Sequence, residues 1–492
     1  PLEAAIAASL VKAAKRLEGE SVDDAMPVAV LQNRLALSLL NLGYPQEGVH
    51  LFKSSRATFV EKLGVEHPDT LMCTNNLAVC YSALGRWDQS IPLFEETYRI
   101  QKAKLGPDNP DTLTSMGNLA SDYDDLGQLD KAMPLLEESF KLRVGKLGAD
   151  HQDTLSSMNN LALGYYKLKQ FDRAIPLLEE TLRRRNTVLG ADHPDTLGTI
   201  INLGSCYRQQ GQIPKALQMF EDVVRLQKHK LGPEHPDTLT GMNNLAYTYN
   251  LDGQTNLAVP IWEETLKKKK IKLGPDHPET LSVMAFLATA YQTLKQPTKA
   301  LALREELYNI QKAQAGADTA ETLESVFQLA VACCRTKQVD RAARLFAEFF
   351  EGFRKLPKLS STGLANNLLV AAVELMSESE FVAAEAYLRE CLAIREKTQP
   401  DVWTTFNTQS LLGGALLGQK NYADAEPLLR KGYEGMRARE KTIPPEGIAR
   451  VTAALDRLIA LSTAVGKPDD VTKWQAERAK YPNAAPMPGE KK

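Results

Sequence analysis

Five of the seven histidines of this 492-residue chain occupy one recurring place: His67, His151, His193, His235 and His277. The segment around the third of these is LGADHPDTL (189–197). An imidazole among Asp192, Asp195 and Thr196 has the side-chain types of a metal site or an acid/base pair. Several features count against that chemistry. Each segment supplies one histidine, whereas a zinc site takes three or four convergent ligands. Two further copies carry Asn109 and Thr319 instead, which share no metal or acid/base role but are good helix N-caps. The next residue is usually proline, favoured at the first helical position. An acid follows in every copy, at Asp69, Asp111, Asp153, Asp195, Asp237, Glu279 and Glu321, where it complements the helix dipole by about 0.3–1 kcal/mol. The preceding glycines, such as Gly64, Gly106 and Gly190, suit the position just past a helix end. The segment therefore reads as a stop, a short loop and a start. No catalytic residue and no metal site is expected in it, and packing of the imidazole against a neighbouring loop is the other structural role open to it.

Other chemistry-bearing stretches lead the same way. DYDDLGQLD (122–130) has closely spaced oxygens but lacks the glutamate and the spacing of an EF-hand loop. RRR (183–185) and KKKKIK (267–272) fall on helices and read as solvated outer faces rather than phosphate sites. No GxSxG, HExxH or P-loop is present, so the chain is expected to be non-catalytic and free of cofactors. Lys+Arg is 59 and Asp+Glu is 61, a balance with no general pull toward nucleic acid or anionic lipid. The six cysteines, Cys73, Cys80, Cys206, Cys333, Cys334 and Cys391, form no CxxC and suit buried reduced thiols in a cytoplasmic setting. LLVAAVELM (368–376) is too short to span a bilayer, so membrane insertion is not expected. No signal-peptide pattern opens the chain, and its start at Pro1 suggests a piece of a longer protein.

What must position these residues is a repeat. The motif returns at 66–71, 108–113, 150–155, 192–197, 234–239, 276–281 and 318–323, each step 42 residues. Leu77 returns as Leu119, Leu161, Leu203, Leu245, Leu287 and Leu329. Each unit reads as two helices. In the second unit the first helix runs about Pro68 to Ala83, with Leu71, Thr74, Leu77, Ala78 and Tyr81 on one stripe, and the second runs about Asp88 to Leu105. Gly85 parts them; Lys169 and Lys295 hold its place elsewhere, so the turn prefers glycine without demanding it. Strand-like alternation is absent. The expectation is an all-α solenoid of about eleven antiparallel helix pairs. An N-terminal helix and linker take 1–25, ten hairpins take 26–444, a degenerate capping hairpin takes 445–481, and a disordered tail takes 482–492.

Leu77, Ala78, Tyr81, Ser90 and Phe94, then Leu119, Ala120, Tyr123, Ala132 and Leu136, resemble the tetratricopeptide repeat (TPR) signature. The long unit with LG-x-D/E-H-P-D and NNLA looks like the kinesin light chain type, over about residues 28–440. The resemblance implies a right-handed superhelix whose inner groove, lined by first helices, binds a peptide or protein. Residues 422–477 also resemble the carboxyl end of bacterial Ser/Thr kinases with a TPR tail, which implies a sensory or substrate-recruiting role as the alternative. Matched onto the family pattern, Asn76, Asn118, Asn160, Asn202 and Asn244 fall where an asparagine holds a bound peptide backbone. An amide offers two donors and an acceptor, so it can serve a peptide N–H and C=O together. Asn159, Asn243, Tyr166, Arg208 and Tyr247 lie within about a helical turn of that ladder. The competing role is packing, in which each asparagine bonds the neighbouring helix and fixes repeat spacing. The basic clamp of some relatives is not evident among these residues.

Overall fold

The computed structural model describes residues 6, 9–13, 25–356 and 360–481. The expected N-terminal helix and linker over 1–25 lies largely outside the described residues, and the expected tail over 482–492 lies wholly outside them. The chain divides into two compact units, Pro1–Thr248 and Tyr249–Lys492. The described residues of the first unit carry α1 (Ala25–Asn41), α2 (Pro45–Leu63), α3 (Pro68–Ala83), α4 (Trp87–Leu105), α5 (Pro110–Asp125), α6 (Leu129–Leu147), α7 (Gln152–Lys167), α8 (Phe171–Val188), α9 (Pro194–Gln209), α10 (Ile213–Lys230) and nearly all of α11 (Pro236–Leu251). The second carries α12 (Thr255–Lys272), α13 (Pro278–Thr293), α14 (Pro297–Ala315), α15 (Ala320–Arg335), α16 (Val339–Phe353), α17 (Ser361–Ser377), α18 (Phe381–Thr398), α19 (Trp403–Gly418), α20 (Tyr422–Ala438), α21 (Ile448–Ala464) and α22 (Pro468–Arg478). No strand occurs among the described residues, and no helix there is long and apolar enough to cross a membrane.

Helices pair because the turn inside each hairpin reverses the chain in three residues. The reversal needs one residue in the left-handed region. Gly85, Gly127, Gly211 and Gly253 take it at φ 67°, 76°, 76° and 78°, and Lys169, Lys295, Lys337 and Lys420 take it at 59°, 55°, 62° and 61°. A lysine is strained there where a glycine is not. The second helix of the second repeat begins one residue earlier than the spacing predicts, at Trp87, and Pro92 lies inside it and withholds an N–H from its ladder.

One small and one large side chain recur on the second helices of the repeat. Ser90, Ala132, Ala174 and Ala216 are fully buried against the first helix, and four residues on Phe94, Leu136, Leu178 and Phe220 fill the hairpin interior. In the second unit this core runs without a break from Leu301 to Trp474. Phe327 packs against Phe346 and Phe349 with ring centroids 5.4 and 4.8 Å apart. Glycines let α19 and α20 approach closely: a Cβ on Gly435 would lie 2.0 Å from the Phe406 ring and one on Gly432 would lie 2.6 Å from the Ser410 backbone nitrogen. Two short 3-10 turns, Glu440–Thr442 and Pro445–Gly447, precede α21. Trp474 of α22 stacks edge-on to Tyr433 at 5.7 Å, and the Tyr433 hydroxyl donates to Glu477 Oε1 at 2.9 Å.

Candidate functional site

The recurring histidines cap helices. Each Nδ1 accepts the backbone N–H of the acid two residues on: His67 from Asp69, His151 from Asp153, His193 from Asp195 and His235 from Asp237 at 3.2 Å, and His277 from Glu279 at 3.3 Å. Asn109 Oδ1 makes the same bond to Asp111 N at 2.9 Å, and Thr319 Oγ1 accepts from Thr322 N at 3.3 Å. These acceptors relieve N–H groups that have no partner within the helix. No group of three or more His, Cys, Asp or Glu suited to a metal occurs among the described residues. All six cysteines are buried, and burial pushes the thiols of Cys73 and Cys206 up to about 11 and those of Cys80 and Cys334 up to about 12, far from a reactive thiolate.

The asparagine ladder lies wholly in the first unit, one residue on each of α3, α5, α7, α9 and α11. Successive first helices lie side by side, and the ladder alternates. Asn118 Nδ2 donates to Asn75 Oδ1 at 3.4 Å, and Asn202 Nδ2 donates to Asn159 Oδ1 at 3.1 Å. The residues 43 before Asn160 and Asn244 are Gly117 and Ile201, which offer no amide. The amides of Asn76, Asn160 and Asn244 have no hydrogen-bond partner among the described residues. Asn160 is exposed, while Asn76, Asn118, Asn202, Asn243 and Asn244 are half-buried. Two rungs are thus fastened to the preceding helix, and three present both donors and the acceptor.

Beside the ladder, Tyr166, Arg208 and Tyr247 come together. The Arg208 guanidinium lies 5.1 Å from the Tyr247 ring centre and 5.4 Å from that of Phe220. Its Nη1 donates to Thr248 Oγ1 at 3.3 Å. Burial lowers its pKa, and Tyr166 and Tyr247 partly restore it. A half-buried cation between two rings on the first-helix face suits contact with a partner's carbonyl or carboxylate.

Two polar columns escaped the sequence reading. The first fastens hairpins. Tyr165 donates to Glu137 Oε1 and Tyr207 to Glu179 Oε1, both at 2.5 Å, and Tyr123 donates to Glu95 and Tyr291 to Glu263. A cation of the following helix covers each ring, with Lys131 5.0 Å from Tyr123, Arg173 4.0 Å from Tyr165, Lys215 4.8 Å from Tyr207 and Lys299 5.0 Å from Tyr291. Burial first, then the adjacent carboxylate, raises the phenols of Tyr123, Tyr165 and Tyr207 to about 12.

The second column corrects the basic runs. Arg183 and Arg184 are paired with Glu180 near the surface, but Arg185 is 5% exposed. It donates to Asp195 O at 2.8 Å, Thr199 Oγ1 at 2.9 Å and Ser156 Oγ at 3.1 Å. Lys269 is equally buried and meets Glu279. Gln101, Arg143, Gln227 and Gln311 hold the same place on the 42-residue ruler. These are inward polar fasteners, and the ruler applied to the second helices would have found them.

The profile of the family described as Tetratricopeptide repeat matches residues 27–103, 72–143, 153–229, 201–271 and 237–313, together more than half of the chain. Comparison with curated proteins gives no match. Among solved structures the chain is similar to a Podosopora anserina putative kinesin light chain with nearly identical TPR-like repeats, at 31% identity over 42% of this chain and 98% of that one, TM-score 0.37. It is also similar to BtubC (BKLC) from P. vanneervenii, at 23% identity over 47% and 92%, TM-score 0.38. The apo quorum sensor NprR from B. thuringiensis matches at 15% identity over 69% and 91%, TM-score 0.48.

Proposed function

The chain belongs to the tetratricopeptide repeat family, a class of protein-interaction module, and from that premise we propose that its first unit holds an extended segment of a partner protein along Asn76, Asn118, Asn160, Asn202 and Asn244. The alternation of the ladder carries this reading. A ladder built only to fix repeat spacing would have every amide bonded to a neighbour. Here Asn76, Asn160 and Asn244 have no such bond among the described residues. An asparagine that reaches half-buried or exposed positions with both ends of its amide available can take a peptide N–H and C=O at once, whatever the side chains of that peptide. Asn118 and Asn202, held by Asn75 and Asn159, keep an acceptor oxygen and one N–H for the same strand. Tyr166, Arg208 and Tyr247 supply the aromatic and cationic contacts that give such a strand direction and preference.

The test uses peptides selected on the whole chain from a random library displayed on phage. Replacing Asn76, Asn160 and Asn244 together with alanine is expected to weaken the selected peptides about tenfold or more, from the loss of several hydrogen bonds, with an unchanged melting temperature. Replacing Asn118 and Asn202 is expected to weaken binding and lower the melting temperature together. Full affinity in the triple variant, with its fold intact, would remove the asparagines from the binding face.

A further inference from the structure

The ladder ends where the second unit begins, and the groove there has different chemistry. Its floor holds a charge in a place the repeat reserves for hydrocarbon. The residue four after the small one is buried and apolar on the neighbouring second helices: Phe94, Leu136, Leu178, Phe220, Trp262, Phe346 and Leu388 are 0–5% exposed. In α14 that residue is Arg304, itself 5% exposed. Its Nη2 donates to Thr289 Oγ1 at 2.7 Å, its Nε has no partner, and no ion pair to it forms among the described residues. Burial lowers its pKa to about 10, opposed only by the more distant charge of Glu324. A buried cation with no ion pair is among the costliest groups a fold can keep.

That guanidinium lines a groove of about 770 Å³ formed by α13, α14 and α15. The volume suits a small ligand. Gln292 on the wall has a second orphaned donor, its Nε2. Leu281, Phe286 and Leu307 supply the apolar surface, and Glu321 and Glu324 line the far side. Glu324 is engaged by Gln328 Nε2 at 2.9 Å. Two donors without acceptors call for an acceptor, and the charge beneath them calls for an anion. The two far-side carboxylates repel a polyanion, so a single negative charge fits best.

We propose that this groove binds a small organic acid, its one carboxylate held by Arg304 and Gln292 and its apolar body lying on Leu281, Phe286 and Leu307. The site is separate from the asparagine face and stands or falls without it. Its nearest alternative occupant, a glutamate side chain of a peptide, is separated from it by experiment. The probes are 3-phenylpropionate, the neutral 3-phenylpropionamide, and an acetylated, amidated tetrapeptide with one glutamate, each titrated calorimetrically into the whole chain. The acid is expected to bind and the amide to fail. Arg304→Leu restores the residue type found at Leu178 and Leu388, so it is expected to fold, to melt higher than wild type without ligand, and to bind the acid about tenfold or more weakly. Gln292→Leu is expected to weaken the acid while leaving the melting temperature unchanged. Glu324→Gln is expected to bind it at least as well as wild type. The proposal is overturned if the amide binds as well as the acid, if Arg304→Leu binds like wild type, or if the peptide binds and the free acid does not. A lower melting temperature in Arg304→Leu together with no binding by wild type would instead make the guanidinium a structural fastener.

Discussion

His193 shows how a residue suited to catalysis serves a helix end instead. Its Nδ1 takes the Asp195 N–H at 3.2 Å, and Asn109 takes the equivalent N–H at 2.9 Å with an amide oxygen. The role therefore needs an acceptor at that point, not an imidazole. His193→Ala is expected to lower unfolding free energy by about 1 kcal/mol, and His193→Asn to leave it level or raise it, both read from urea denaturation. An alanine variant as stable as wild type would show that water serves the helix end equally well. That the segment starts a helix was legible because seven copies could be compared and Asn109 and Thr319 are ordinary cap residues; whether the imidazole caps or packs was left open by the sequence. The pairing of the ladder amides was not legible. The ruler compares residues 42 apart, whereas Asn118 meets Asn75 at a separation of 43. A contact one residue off the period is invisible to a method that lines up like with like.

At the scale of elements, the Tyr–Glu–cation fastener joins three helices: the glutamate of one second helix, the tyrosine of the next first helix, and the lysine or arginine of the helix after that. The neutral phenol is the form this arrangement favours. An unfolded chain releases these protons near the ordinary tyrosine value of about 10, whereas Tyr123, Tyr165 and Tyr207 hold theirs to about 12 when folded. Below about pH 10 their contribution is fully present. Between about 10 and 12 the unfolded state binds fewer protons than the folded one, so stability falls as pH rises. The urea midpoint is expected to drop across that window, and tyrosine-to-phenylalanine changes at the three positions are expected to flatten the drop. An equal slope in the triple variant would place the alkaline transition elsewhere. The helix limits of the second repeat, Pro68–Ala83 and Trp87–Leu105, were legible to within a residue because proline, glycine and acid mark them. The burial of Arg185 and Lys269 was not, because a run of like charge gives no sign of which member turns inward; only the phase they share with Gln101 and Gln311 does.

At the scale of the molecule, neighbour-to-neighbour fastening makes the repeat an interchangeable part. Excising residues 110–151 joins Asn109 to Gln152 and brings Tyr165 to Glu95, the partner Tyr123 had. It also removes Asp122, which accepts from Ser82 at 2.5 Å and from Ser90, so some stability is lost. The shortened chain is expected to keep its helicity per residue by far-ultraviolet circular dichroism and to unfold with a denaturant dependence reduced in step with its length. Loss of cooperative unfolding would show that the array needs more than adjacent contacts. The fixed offsets of the fastener, 28 residues back to the glutamate and 8 forward to the cation at Tyr123, Tyr165, Tyr207 and Tyr291, have a genetic corollary. An unequal crossover that pairs one copy of the unit with the next adds or removes whole periods and leaves both offsets intact. The gene can therefore lengthen or shorten by recombination without inventing a new joint.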